Sequence, residues 1–135
     1  MANDRADVLI ITALREELEA AKAAGLARSP GGPGVAGWEE RGVRGLTPYW
    51  WGECCGNGGR RWSVALARPN GMSGRSTGPI ATSLVDRLRP SCLAMCGVCA
   101  GHPADTALGD VVVAEVAYEW DEGKWSSTGL IGDHR

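Results

Sequence analysis

The sequence predicts an α/β sandwich with a mixed sheet, and three observations lead to this fold class. Two short runs, DVLIIT (7–12) and SCLAMCGV (91–98), are mostly apolar, which is typical of strands that are covered on both faces. A helical pattern follows the first run directly. A hairpin-like pair of strands lies between the two runs, so the sheet is expected to combine parallel and antiparallel pairing.

The strand at 7–12 leads into a helix over 13–25. Leu14 and Leu18 recur at helical spacing, and acidic residues crowd the first turn, where they favour the helix dipole. We predict that Thr12 caps the N-terminus of this helix and that Gly25 ends it in a left-handed conformation.

The centre of the chain predicts a β-hairpin. After a Gly- and Pro-rich loop at 28–37, the segments 46–54 and 60–68 have strand composition, and CGNGG joins them. A second glycine-rich connection, 69–78, leads away from the hairpin.

An amphipathic helix is predicted over 79–89, with Pro79 in its first turn and Pro90 after its end. The buried strand 91–98 follows, and DVVVAEVAYEW (110–120) predicts a last strand. The predicted order is therefore β-α-β-β-α-β-β. The remaining residues look like an unfinished loop, so we expect one domain over 1–135 that is incomplete at its C-terminus.

Composition excludes several classes of function. At 135 residues the chain has room for one core, and its net charge of −2 with scattered arginines gives no general attraction to nucleic acid or anionic membranes. No apolar run approaches the roughly 20 residues that span a bilayer. The N-terminus has no export signal, and five cysteines are an odd number, so we expect a cytoplasmic protein in a reducing compartment.

Cys92, Cys96 and Cys99 have the spacing of an iron–sulfur motif. In a strand, however, Cys92 and Cys96 would lie roughly 13 Å apart, and the chain is too short for the partial barrel of such enzymes. A zinc site lacks a convincing fourth ligand, because the spacing to His102 matches no common structural zinc site, and a Cys99–His102 nucleophile lacks a third group. We therefore predict no metal and no cofactor, and we interpret Cys92 and Cys96 as core residues.

Three ordered segments carry a resemblance: VLIITALREELEA (8–20), CGVCAG (96–101) and LGDVVVAEVAYEWDEGK (108–124). Together they resemble the first strand and acidic helix, the glycine-rich turn and the following strand of the nucleoside phosphorylase superfamily. Within this superfamily, the three segments most resemble those of methylthioadenosine/S-adenosylhomocysteine nucleosidases and of related domains of bacterial defence proteins. The resemblance implies a three-layer α/β/α sandwich with a mixed sheet.

The resemblance also implies a site. Glu17 matches the family's nucleosidase glutamate, which activates water to cleave the N-glycosidic bond of a purine nucleoside or nucleotide; burial under the substrate is expected to raise its pKa towards neutrality. Substrate contacts are implied for seven further residues: Thr12, Ala13, Gly71, Val98, Cys99, Ala100 and Gly101. Family members often dimerise, so a homo-oligomer is expected.

Departures from the family pattern favour hydrolysis. Where phosphorylases carry a phosphate-binding arginine and serine, this chain has Met95 and Val98, which offer no charge-assisted donor. Water is then the expected acceptor. A ribose or 5′-phosphate is within reach of four residues of the glycine-rich loop, for which a solvated turn is an equally good interpretation: Arg68, Asn70, Ser73 and Arg75. His102 and Asp105 are interpreted as polar loop residues, with the pocket mouth as the alternative position.

The family's second half supplies a ribose-binding glutamate and an acid that protonates the leaving base, and neither is identifiable here. The alternative is therefore a truncated, inactive module for binding or assembly, or a chain completed by a missing C-terminal partner segment. In that alternative an interface would be covered by Trp38, Trp50, Trp51, Trp120 and Trp125.

Overall fold

The computed structural model describes residues 5–27, 32–42, 47–69, 74–116, 123–126 and 129–132. The chain divides into two compact units between Val98 and Cys99. The first unit contains a five-stranded open sheet and two helices, which confirms an α/β fold with a mixed sheet.

In chain order, the elements of the first unit are β1 (Val8–Ile11), α1 (Arg15–Leu26), β2 (Glu39–Arg41), β3 (Tyr49–Cys55), β4 (Arg61–Ala67), α2 (Gly74–Leu88) and β5 (Cys92–Met95). The strand order in the sheet is β2-β3-β4-β1-β5. β1 pairs in parallel with β4 and β5, whereas β3 runs antiparallel to β2 and β4. The predicted hairpin of two central strands is therefore confirmed.

The register aligns the carboxyl ends of three parallel strands. Ile11, the last residue of β1, pairs with Ala67 at the end of β4 and with Met95 at the end of β5. The loops that follow these strands consequently begin at the same edge of the sheet.

Alternate residues of β1 contact different helices. Leu9 and Ile11 pack in the core with Leu84 and Leu88 of α2. Side chains alternate along a strand, so Ile10 points to the other face, where it lines a cavity together with residues of α1. This coverage explains why the first apolar run forms a buried strand.

Three predicted helix boundaries need correction. α1 begins after Leu14 rather than Thr12, and Gly25 lies inside the helix, which ends with Ala27 as its extended C-cap. α2 begins at Gly74, several residues before the predicted start, and contains Pro79 within its first turns.

The prediction that 91–98 is a buried strand is wrong. Only Cys92–Met95 form β5, which is the last strand of the sheet and is mostly exposed. Cys92 and Cys96 are accordingly exposed, not core residues. β2 was not predicted, because its sequence of two glutamates and an arginine does not have strand composition.

The second unit also departs from the prediction. Residues 110–116 form no strand, and their side chains are exposed; 117–120 lie outside the described residues. The predicted terminal loop instead contains an antiparallel pair, β6 (Gly123–Ser126) and β7 (Gly129–Gly132). None of the helices described here has the length and apolarity that a bilayer span requires.

Candidate functional site

The carboxyl ends of β1 and β5 bring two loops of the first unit together. The backbone N–H of Cys96 donates to the carbonyl of Ile11 over 2.9 Å, which extends the strand pairing by one residue. In open α/β sheets, ligands bind at this end of the strands. The two loops here supply Glu17 from the start of α1 and Val98 from the turn after β5.

The Glu17 carboxylate joins these loops through three backbone hydrogen bonds. Its Oε2 accepts the N–H of Ala13 at 2.9 Å and of Leu14 at 2.8 Å. Its Oε1 accepts the N–H of Val98 at 2.9 Å, across 81 positions of sequence. The side chain therefore does face the turn after β5, as the predicted site requires.

The start of α1 explains the two hydrogen bonds that Oε2 of Glu17 accepts. Leu14 is the extended N-cap residue, and its carbonyl accepts the first helical hydrogen bond from Leu18. Glu17 is the third helical residue, from which a glutamate reaches back to the N-cap N–H as in a capping box. Since leucine has no side-chain acceptor, the glutamate does the capping that we had predicted for Thr12.

Gly97 explains the hydrogen bond that Oε1 of Glu17 accepts. A Cβ atom placed on Gly97 would lie 2.6 Å from Oε1 of Glu17 and 2.8 Å from its Cδ. No real Cβ tolerates such contacts, so any other residue at 97 would displace the carboxylate. The missing side chain is what lets Glu17 reach the Val98 N–H.

These hydrogen bonds lower the pKa of Glu17. The Leu14 N–H, and after it the Val98 N–H, hold the pKa of the carboxyl below its ordinary value; partial burial opposes them, and the Ala13 N–H adds to them. The carboxylate is therefore anionic at neutral pH. The backbone donors outweigh desolvation here, and the rise of this pKa under a bound substrate stays a prediction.

Thr12 occupies a buried position beside this site. Its side chain is 0 % exposed, and Oγ1 is without a hydrogen-bond partner among the residues that the structure describes. Its backbone N–H donates to the carbonyl of Ala67 over 2.9 Å. Leaving a buried hydroxyl unpaired costs about 1–3 kcal/mol, so this position is an unusual one for a threonine without a role.

The remaining predicted contacts lie outside the described residues or in the second unit. Gly71 lies outside the described residues, as do Asn70 and Ser73. Three predicted contacts belong to the second unit, where all are exposed: Cys99, Ala100 and Gly101. The Arg68 guanidinium donates to the adjacent Pro69 carbonyl at 3.1 Å, and nothing is described of the Arg75 side chain.

His102 and Asp105 form a local pair in the second unit. His102 Nδ1 lies 3.1 Å from Asp105 Oδ2, and both side chains are largely exposed. The His102 carbonyl also accepts the Thr106 hydroxyl at 2.9 Å. These contacts stabilise the turn after Gly101.

The cysteines form no metal centre in the described part of the chain. All five are free, and no group of three potential metal ligands is found among the described residues. Cys54 is half-buried and the other four are exposed.

An apolar cavity of about 460 Å³ was not predicted from the sequence. It lies between α1 and the sheet, and its lining includes Ala21, Ala24, Trp38, Cys54, Val64 and Cys96. The Trp38 indole donates to the Lys22 carbonyl at 2.9 Å, and its ring fills the space left by Gly25 and Gly52. Gly25 and Gly52 are the sequence feature that could have indicated this close packing. Neither has a positive φ that would otherwise explain a glycine at its position.

The tryptophans that were expected at an interface have mixed positions. Trp51 is buried in the core, Trp38 packs as described, and Trp50 lies under the Lys22 ammonium at 5.0 Å. Trp120 lies outside the described residues, and the surroundings of Trp125 are not described.

Comparisons with protein-family models, curated proteins and solved structures give no match for this chain.

Proposed function

We propose that the protein is a nucleosidase-type hydrolase that cleaves the N-glycosidic bond of a purine nucleoside or nucleotide. The observation that carries this proposal is the position of the Glu17 carboxylate between the loops after β1 and β5. The proposed family is the nucleoside phosphorylase superfamily, with a three-layer α/β/α sandwich. The five free cysteines fit the reducing cytoplasm that we propose as its location.

Glu17 would act on the attacking water. An ionised carboxylate has about four acceptor positions, of which backbone N–H groups use three, so one remains for a water O–H. The water oxygen forms the new bond to C1′, and its proton passes to Glu17. The C1′–N bond breaks with its electron pair moving to the base, which takes a proton from solvent. The oxocarbenium character of this reaction is stabilised by a nearby anion.

Water is preferred to phosphate as the acceptor in this proposal. The side chains of Met95 and Val98 are exposed and apolar, so neither neutralises a phosphate. An anionic Glu17 at the same turn also repels a second anion.

The test is release of free adenine from adenosine, methylthioadenosine and ATP. We expect Glu17→Gln to lower the rate by about 10²–10⁴-fold, the usual contribution of a general base. Glu16→Gln is the matched control, because Glu16 is the exposed neighbouring acid of the same helical turn. Release that persists in Glu17→Gln would remove this residue from the mechanism.

A second function, a binding or assembly module, is favoured by the exposed apolar surface of β5. Leu93 is 53 % exposed, Met95 67 % and Val98 81 %. Exposed apolar groups on an edge strand are typical of interfaces. This alternative expects no adenine release and a chain that self-associates, which light scattering after size exclusion would detect.

A further inference from the structure

The Val98 N–H links Glu17 to the turn after β5 by donating to Oε1. The other oxygen, Oε2, is held separately by Ala13 and Leu14 at the start of α1. Loss of the Val98 contact would therefore leave the helix cap intact. It would free one oxygen of the carboxylate and one backbone donor at the same time.

We propose that the Val98 N–H is a shared donor, which Glu17 accepts in this structure and which an acceptor atom of a bound nucleoside takes over. This inference rests on the proposed function and adds its regulation: the ligand releases the second acceptor position of Oε1, so that both positions of this oxygen face the water. The hydrogen bond between Glu17 and Val98 is called the resting contact below.

The surroundings of Val98 permit this exchange. Val98 is 81 % exposed, and Gly97 beside it has no side chain to shield the peptide. A ligand atom can therefore approach the N–H from solvent. The atom must be a hydrogen-bond acceptor, and the ring nitrogens and ribose oxygens of a nucleoside meet that requirement.

Transfer of the Val98 N–H from Glu17 to the ligand would also make Glu17 a stronger base. The Val98 N–H is one of the groups that hold the pKa of this carboxyl low, so its transfer to the ligand moves that pKa upward. A general base is most effective when its pKa lies near the working pH. Binding of the nucleoside would then change the base strength of Glu17 without any movement of α1.

Because Glu17 and the nucleoside compete for the Val98 N–H, Glu17 is expected to weaken binding of the nucleoside. A ligand must displace a charge-assisted hydrogen bond before it gains its own, so removing the carboxylate should tighten binding of adenosine by about tenfold. Glu17→Ala removes the competitor altogether. Glu17→Asp keeps the charge but is one methylene too short to reach both loops.

The experiment measures the dissociation constant of adenosine by calorimetry for the wild-type chain, Glu17→Ala and Glu17→Asp, with Glu16→Ala as control. Tighter binding in both Glu17 variants and unchanged binding in the control support the proposal. Equal or weaker binding in Glu17→Asp, or no adenosine binding by any variant, overturns it. Circular dichroism identifies a variant that fails to fold, and Glu17→Asp then decides the result.

Amide hydrogen exchange tests the resting contact without any ligand. The Val98 N–H should exchange at least about tenfold faster in Glu17→Ala than in the wild type, since it loses the carboxylate that accepts it. An unchanged rate overturns the resting contact. If no adenine is released but the Glu17 variants bind adenosine more tightly, only the proposed hydrolysis is rejected. If adenine release depends on Glu17 but binding is unchanged in the variants, only the shared donor is rejected.

Discussion

β1 and β5 are neighbouring parallel strands of equal length and similar apolar composition, VLII and CLAM, yet they have opposite environments. β1 lies between β4 and β5, and its side chains contact helices or the cavity lining. β5 is the last strand of the sheet, and Leu93 is exposed beside the buried Leu9. Composition therefore indicates a strand, whereas sheet position decides its burial.

The largest expected effect is the difference in stability loss between substitution of Leu9 and substitution of Leu93. Leu9→Ala should lower the free energy of unfolding by about 2–5 kcal/mol, because it leaves a cavity in the core between the sheet and α2. Leu93→Ala, its paired neighbour, should lower it by less than about 1 kcal/mol. Urea denaturation of the two variants measures the difference. Equal losses would mean that β5 is as buried as β1.

The next effect concerns the contact that joins the loops after these strands. Gly97→Ala should push the Glu17 carboxylate away, because the new Cβ overlaps it while the backbone stays in place. We expect the Val98 N–H to exchange about tenfold faster, which is the loss of one charge-assisted hydrogen bond. Gly78→Ala is the control, since a Cβ there meets no atom within 4 Å. A protected Val98 N–H in Gly97→Ala would show that Glu17 does not depend on this glycine.

The pH dependence of stability should also report this contact. The pKa of Glu17 is lower in the folded than in the unfolded chain, so its contribution is complete above the unfolded value of about 4.5 and is lost as pH falls through the folded pKa. Glu17→Gln should therefore be less stable than the wild type at neutral pH, with the gap closing in acid. Denaturation at pH 7 and at successively lower pH values measures the gap.

Asp7 provides an internal reference for that experiment. Ser63 donates its backbone N–H and its hydroxyl to the Asp7 carboxylate at 2.8 and 2.9 Å, which holds this pKa low as well. The acid-induced loss of stability from Asp7 should therefore remain in Glu17→Gln. A gap between the variant and the wild type that widens in acid would contradict the assigned hydrogen bonds of Glu17.

The smallest expected effect on stability is at the exposed edge. Met95→Lys should change the free energy of unfolding by less than about 0.5 kcal/mol, because Met95 is a surface residue. It should, however, weaken self-association if the β5 surface is an interface, since a charged residue on an edge strand opposes pairing. Light scattering across a range of concentrations measures this. Unaltered association would place the interface elsewhere.

Local patterns were sufficient for part of the fold. The apolar run of β1, the periodicity of α1 and the hairpin of β3 and β4 were predicted because each depends on neighbouring residues. Boundaries were less accurate. Thr12 and Gly25 looked like caps, but Glu17 satisfies the N-terminus of α1 and Trp38 packs against Gly25 inside it.

Burial of the later apolar segments was not predictable in the same way. CLAM and DVVVAEV have the composition of covered strands, yet β5 lies at the sheet edge and 110–116 form no strand. An apolar run specifies which surface would gain from burial, and it does not specify whether the fold provides a covering element.

The sequence by itself determined an α/β chain and the strand and acidic helix at its start, whereas Glu17 was predicted as a site residue only through the family resemblance. Tertiary structure alone decided that Glu17 meets Val98, because the parallel pairing of β1 with β5 brings together residues 81 positions apart. It also contributed to the lowered pKa of that carboxyl. Backbone donors from two separate loops set its pKa, and no local pattern contains both loops.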